Sequence, residues 1–176
     1  INEVMALYGQ ALEQGTLSLD LTPDLPPIQG DAALLRQVVH NLVQNALDAT
    51  AERPAGHGTA HVIVRTDTPR NEDGSIRAVR LAVRDNGPGF PDKVLRRAFE
   101  PYLTTKAKGT GLGLAVVKKI ADEHGARIAL RNLHPASDAG SPLGEGPEGP
   151  VIGAQVSLSF SNLTPATEPG APGAKT

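Results

Sequence analysis

The residues best suited to chemistry fall into three short groups. In LLRQVVHNLVQNALDAT, Asn41 and Asn45 stand four positions apart, so on a helix both amides point the same way. With Gln37, Gln44 and Asp48 they make a polar seam beside an apolar face of Leu35, Val38, Val39, Leu42, Val43 and Ala46. The seam is rich in amides rather than Lys and Glu, although Asn is a poor helix former. Neutral oxygens stacked this way suit a hard cation whose other ligands are phosphates and water. Asp85 leads into VRDNGPGF, where Gly87 and Gly89 let the backbone turn sharply. A carboxylate only accepts hydrogen bonds, so it suits an exocyclic amino group such as that of adenine. The alternating acidic ligands of a calcium loop are missing.

The third group is KAKGTGLGLAVVKKI, where Gly109, Gly111 and Gly113 open a helical pattern. The amides and dipole of a helix start can face an anion. This is not a P-loop, because no Gly-Lys-Ser/Thr closes it. A dinucleotide fold needs a strand before the glycines and an acidic end to the next strand. PYLTTKAK is no strand, and RIALRN ends in Asn132. Between Asp92 and Lys119 seven basic residues face two acidic ones, which fits a polyphosphate nearby. Taken singly, each group also reads as something plainer: a solvated seam, a simple turn, a glycine-rich loop.

Five strands and three main helices must position these groups. Residues 2–14 read as an amphipathic helix that Gly15 ends. Thr16–Leu21 alternates as a strand, and Asp31 is the N-cap of a helix running to about Thr50. Ala60–Asp67 and Ser75–Asp85 form a hairpin, with Asp73-Gly74 as the turn signal. One helical turn is expected around Lys93–Ala98. Leu112–His124 is a helix ended by Gly125, with His124 suited to the helix dipole. Strands at RIALRN and Ala154–Phe160 flank a Gly/Pro-rich insertion at about 135–150, and Gly153 receives no role. A hairpin without regular strand–helix alternation predicts helices on one face of a mixed sheet.

Bulk composition removes other classes. A length of 176 residues fits one domain with a core of Leu, Val, Ile and Ala, since aromatics are only 3%. A net charge of −2 argues against a nucleic-acid binder. The absence of cysteine excludes disulfides, thiol nucleophiles and thiolate zinc sites. No stretch approaches the ~20 apolar residues of a membrane helix, and no signal peptide is visible. The chain begins at Ile1 rather than Met, as a piece of something longer would.

The order of the parts is more specific than any of them. An Asn-bearing helix, Asp-x-Gly-x-Gly after a hairpin, a long loop, and Gly-x-Gly-x-Gly opening a helix resemble the gyrase, Hsp90, histidine-kinase and MutL ATPase superfamily. NLVQNALDA is similar to its N box, DNGPGF to its first glycine box and GTGLGL to its second. FEPYLTTK resembles the F box of the histidine-kinase branch, and the run through KKI is similar to nitrogen-regulation sensor kinases of the NtrB/NtrY kind, most like NtrY.

The resemblance implies an α/β (α+β) two-layer sandwich, the Bergerat fold: a mixed, mostly antiparallel five-stranded sheet with about three helices on one face. It implies Mg-ATP as ligand and γ-phosphoryl transfer to a histidine on a separate helical hairpin, with an NtrX/NtrC-like response regulator further downstream. Asn45 would be the Mg²⁺ ligand, and Asn41 would help hold metal or phosphates. Asp85 would take the adenine amino group, in a pocket shaped by Gly87 and Gly89. Phe99 would anchor a lid over about 90–110. Gly109, Gly111 and Gly113 would offer amides to the phosphates, Lys106 would reach the outer ones, and Thr105, Thr110, Leu112 and Leu114 belong to the same boxes.

Residues 1–15 would be a connection from a dimerisation domain, 16–160 the catalytic domain and 161–176 a disordered tail. The domain would be monomeric and cytoplasmic, within a parent anchored in the inner membrane. None of the five histidines has the context of a phosphoacceptor, and His40 reads as a helix-surface residue. ATP-hydrolysing relatives carry a Glu four residues before the metal Asn. Here Asn41 stands at that position and cannot take a proton, which leaves a gyrase- or MutL-type ATPase as the weaker reading.

Overall fold

The computed structural model describes residues 1–53, 58–99, 112–135 and 149–164. Its five-stranded sheet has the order β1-β2-β3-β5-β4. The strands are β1 (Leu17–Asp20), β2 (Val62–Asp67), β3 (Val79–Asp85), β4 (Arg127–Leu133) and β5 (Gly153–Phe160). Only β1 and β2 run parallel; the other pairs are antiparallel. This is the mixed, mostly antiparallel sheet that the sequence leads one to expect. Alternation along each strand sends one set of side chains into a single core. Val62 and Val64, Leu81 and Val83, and Val156 and Leu158 bury there against the helices.

The long helix α3 (Ala32–Ala51) supplies the opposing surface. Val38, Leu42, Ala46 and Thr50 recur every four residues on its buried side, joined by Val39 and Val43. Burying each of the larger ones contributes about 1.5–3 kcal/mol. Asp31 caps the helix as expected: its Oδ1 accepts from Ala33 N (2.7 Å) and Leu34 N (3.1 Å). Those amides, Leu34 first, hold its carboxyl below the usual carboxylate range. α5 (Gly113–Glu123) lies against α3 through Val117, Ile120 and Ala121. Between them in sequence comes α4 (Asp92–Arg97), the short turn expected near Lys93–Ala98.

Several expectations need correction. Residues 2–14 are not one helix but α1 (Asn2–Met5), a 3₁₀ turn (Ala6–Tyr8) and α2 (Gly9–Glu13). The break falls at Tyr8, which leaves helical geometry (φ −114°, ψ 24°). Its hydroxyl hydrogen-bonds His40 Nδ1 (2.8 Å) and donates to His40 O (3.3 Å). The hairpin strands start later than Ala60 and Ser75. The Asn86 side chain takes the His61 N–H, and Asp73 Oδ1 takes the N–H and hydroxyl of Ser75, so these N–H groups go to side chains, and only the carbonyls of His61 and Ser75 accept from backbone, at Asn86 N and Asn71 N. Ser161–Thr164 do not belong to a tail: Leu163 bridges Ile28, and Thr164 N donates to Pro27 O (2.9 Å). The rest of that tail, the interior of the insertion and most of the lid lie outside the described residues.

His124 is the clearest departure. It stands at the C-cap of α5, as expected, but is buried at 9% exposure. Its Nε2 accepts from Asp31 N (2.9 Å) and its Nδ1 bonds Ile120 O (2.8 Å). A ring that accepts at Nε2 and donates at Nδ1 is the neutral tautomer, so it serves as a strut between α3 and α5 rather than as a dipole partner. Gly30 makes room for it, since a side chain there would meet His124 Cδ2 at 2.4 Å.

Candidate functional site

The polar seam of α3 divides by position. Gln37 and Gln44 are exposed, while Asn41, Asn45 and Asp48 are half-buried, Asn45 on the side that meets the start of α5. Gln44 Nε2 donates to Asp48 Oδ1 (2.8 Å). Asp48 is also close enough to Tyr8 to act on its phenol, whose pKa is raised first by burial and then by that carboxylate.

Two glycines show how the groups meet. A Cβ on Gly113, the first residue of α5, would lie 3.2 Å from Asn45 Nδ2 and 3.6 Å from its Oδ1. One turn along α3, a Cβ on Gly87 would lie 2.8 Å from Ala49 O and 2.9 Å from Asp85 Oδ1. The same α3 edge therefore touches the start of α5 at Asn45 and the β3 turn at Ala49. Asp85 itself ends β3 between Val62 of β2 and Ala154 of β5, half-buried, with Oδ1 accepting from Gly87 N (2.9 Å).

The turn is held from three sides. Asn86 donates to Thr59 O (2.7 Å) and accepts from His61 N (2.9 Å). Gly89 takes a left-handed φ of 76°, and a side chain there would meet Val151 Cγ1 at 2.4 Å and Asn132 Oδ1 at 2.8 Å. Asn132, on β4, accepts from Phe90 N (2.7 Å) and donates to Phe90 O (2.9 Å), closing a two-bond clamp. Gly153 also has a structural role after all: a Cβ there would sit 1.9 Å from the Asp85 carbonyl oxygen, so only glycine lets β5 pass this close to the end of β3. Neither Asn132 nor Gly153 is flagged by local spacing; both act on partners far along the chain.

Of the expected site residues, Asn45, Asp85, Gly87, Gly89 and Gly113 share this corner of the molecule, and Asn41 stands one turn before Asn45 on α3. Leu114 is half-buried against the core, and Leu112, at the N-cap of α5, is 37% exposed. Phe99 stands elsewhere: with Leu112, Val116 and Lys119 it lines a groove on the side of α5 away from α3. Thr105, Lys106, Gly109, Thr110 and Gly111 lie outside the described residues.

Comparison with known proteins bears on the family and the fold. The family model described as histidine kinase-, DNA gyrase B- and HSP90-like ATPase matches residues 30–161. The sensory histidine kinase/phosphatase NtrB of Rhizobium leguminosarum bv. phaseoli is 37% identical over 144 residues, covering 71% of this chain and 38% of that protein. The sensor histidine kinase ZraS of Escherichia coli K12 is 38% identical over 132 residues, covering 74% of this chain and 26% of that protein. The chain thus spans less than two-fifths of the length of either relative. In fold it is similar to the catalytic domain of histidine kinase ThkA, with TM-score 0.64 and 24% identity over 92% of this chain and 89% of that one. The mycobacterial sensor histidine kinase MprB gives 0.62 and 24%, over 90% and 92%.

Proposed function

The chain belongs to the histidine kinase-, DNA gyrase B- and HSP90-like ATPase family, and from that premise we propose that it is the ATP-binding catalytic part of a sensor histidine kinase. In this reading it binds Mg-ATP and presents the γ-phosphoryl group to a histidine on a separate helical hairpin of the same kinase. The parent is of the nitrogen-regulation kind, membrane-anchored, and feeds an NtrX/NtrC-like response regulator. The observation that carries the reading is the meeting of three separated motifs on one edge of α3: Gly113 against Asn45, and the Asp85–Gly87 turn against Ala49.

The residues fit the ligand. Asp85 is a half-buried acceptor at the end of a central strand, suited to an adenine amino group. Gly87 and Gly89 let the turn beside it pack closely against Ala49, Val151 and Asn132, which fixes the strand end that carries the carboxylate. Asn45 offers one neutral oxygen at the foot of α5, the kind of sparse protein ligation that suits Mg²⁺ carried by phosphates and water. When bound, the metal neutralises phosphate charge; the chain's own part is to orient the triphosphate at the α5 N-terminus with Asn45 and Asn41. Lys106 and the glycines at 109 and 111 complete the phosphate cradle in this proposal. Phe99, packed beside Leu112 and Val116, anchors the lid at the outer side of α5.

Asn41 separates this reading from the hydrolase one. A neutral amide cannot deprotonate water, so bound ATP keeps its γ-phosphoryl for transfer. The test is to mix the chain with the cognate hairpin domain and γ-labelled ATP. Label on the hairpin histidine is the expected result; rapid release of phosphate with no labelled histidine would point to the hydrolase instead.

A further inference from the structure

The helices α3 and α5 cover one face of the sheet, and strand alternation turns the other set of side chains the opposite way. That outer face is unusually basic for a chain of net charge −2. Among the described strand residues it carries Arg65 on β2, Arg80 and Arg84 on β3, and Arg127 and Arg131 on β4, against Asp20 and Asp67. Asp67 is taken by Arg80 (Nη2–Oδ2 2.8 Å), and Asp20 lies 3.4 Å from Arg65 in an exposed pair of little strength. The remaining positions are small or uncharged.

A solvated polar face is the usual state of an antiparallel sheet, but this one is arranged against its own stability. Arg84 and Arg131 stand opposite the same residue, Gln155, and Arg65 is diagonal to Arg84 across the β2–β3 ladder. Arg84 is half-buried and its Nε is enclosed without a hydrogen-bond partner. Burial, and then Arg131 and Arg65, lower its pKa from the ordinary arginine value, while the guanidinium stays charged. Like charges crowded over a part-buried guanidinium are relieved by an external anion.

The chemistry of the face narrows the anion. Apart from His61 at its margin, the basic groups on the described strands of this face are Arg, which forks onto carboxylates and loses little hydration at an interface, as Lys does not. No Phe, Tyr or Trp stands on the described strands of this face, and the His61 ring at its margin is held by Ser18 Oγ (3.0 Å), so the strands lack the stacking platform on which sheets hold single-stranded nucleic acid. Two aspartates interleave with the arginines, a mosaic that opposes a uniform phosphate surface and suits a protein with discrete carboxylates. We propose that the outer sheet face, centred on Arg84 and Arg65, docks a polypeptide segment rich in aspartate and glutamate. Because Arg84 directly precedes Asp85, such a partner would sit on the far side of the strand that ends in the candidate pocket.

The experiment measures binding of fluorescently labelled poly-L-glutamate by anisotropy at rising NaCl. The unmodified chain is expected to bind with an affinity that falls with salt. Arg65→Gln/Arg84→Gln is expected to weaken binding about tenfold or more. It should melt no lower than the unmodified chain, because the crowding is relieved. Lys118→Gln/Lys119→Gln, on α5, is expected to bind like the unmodified chain. The proposal is overturned by no binding, by equal binding of the arginine variant, by an equal loss in the lysine variant, or by a clear drop in melting temperature of the arginine variant. Tighter competition from oligothymidylate or phosphatidylserine vesicles overturns it in favour of those partners. Binding that emerges only when residues 136–148 are replaced by a short Gly-Ser linker overturns it in favour of the chain's own insertion.

Discussion

At the scale of single residues, the site is defined as much by missing side chains as by present ones. Gly87 is wedged between the Ala49 carbonyl and the Asp85 carboxylate, so Gly87→Ala forces backbone apart. That overpacking should cost about 1–3 kcal/mol, read as a lower denaturation midpoint. Gly113→Ala is gentler, since its Cβ would press on an amide 3.2 Å away that can yield. Asp31 gives a pH signature. Its folded pKa is depressed by the Leu34 and Ala33 amides, so its stabilising effect is present above the unfolded value of about 3.9 and is lost as pH falls through the folded value. Asp31→Ala should therefore melt below the unmodified chain at pH 7, with the gap closing below about pH 4. A gap that stays constant with pH would show that the cap is not electrostatic.

At the scale of elements, what positions the site is a set of long-range clamps. Asn132 ties β4 to Phe90 by two hydrogen bonds, 42 residues away in sequence. Asn132→Ala leaves both backbone groups of Phe90 to find water, at about 1–3 kcal/mol. We expect a lower melting temperature and weaker nucleotide binding together, because the clamped turn carries Gly87 and Gly89. Unchanged nucleotide affinity in a destabilised variant would separate the clamp from the pocket. These clamps also explain what the sequence concealed. The Asn41/Asn45 seam, the Asp85 turn and the Asp31 cap were legible because each is a local pattern with a known period or neighbour. Asn132, Gly153 and His124 were not, because their partners lie across the sheet or on another helix. His124 even read in the wrong sense: its place at a helix end suggested a charge, and only the Asp31 amide at Nε2 shows a neutral ring. The helix break at Tyr8 is hidden likewise, because it is set by His40, 32 positions on.

At the scale of the whole molecule, the fold holds one long helix across a mixed sheet so that β3, α3 and α5 end near a common corner. The mixed sheet with helices on one face and the β2–β3 pairing follow from alternation and the hairpin signal, whereas the parallel β1–β2 pair and the insertion of β5 between β3 and β4 need the structure. The meeting of the three motifs needs the tertiary structure. In the proposed function they form one Mg-ATP site, with base and metal read by different residues. Calorimetric titration of ATP, with and without Mg²⁺, into the unmodified chain, Asp85→Ala and Asn45→Ala tests this most directly. Asp85→Ala should lose about 10- to 100-fold in affinity whether or not Mg²⁺ is present, as expected for removing a charged hydrogen-bond acceptor. Asn45→Ala should retain metal-free binding and lose the gain that Mg²⁺ brings. Near-normal affinity in both variants, or identical losses with and without the metal, would contradict the site.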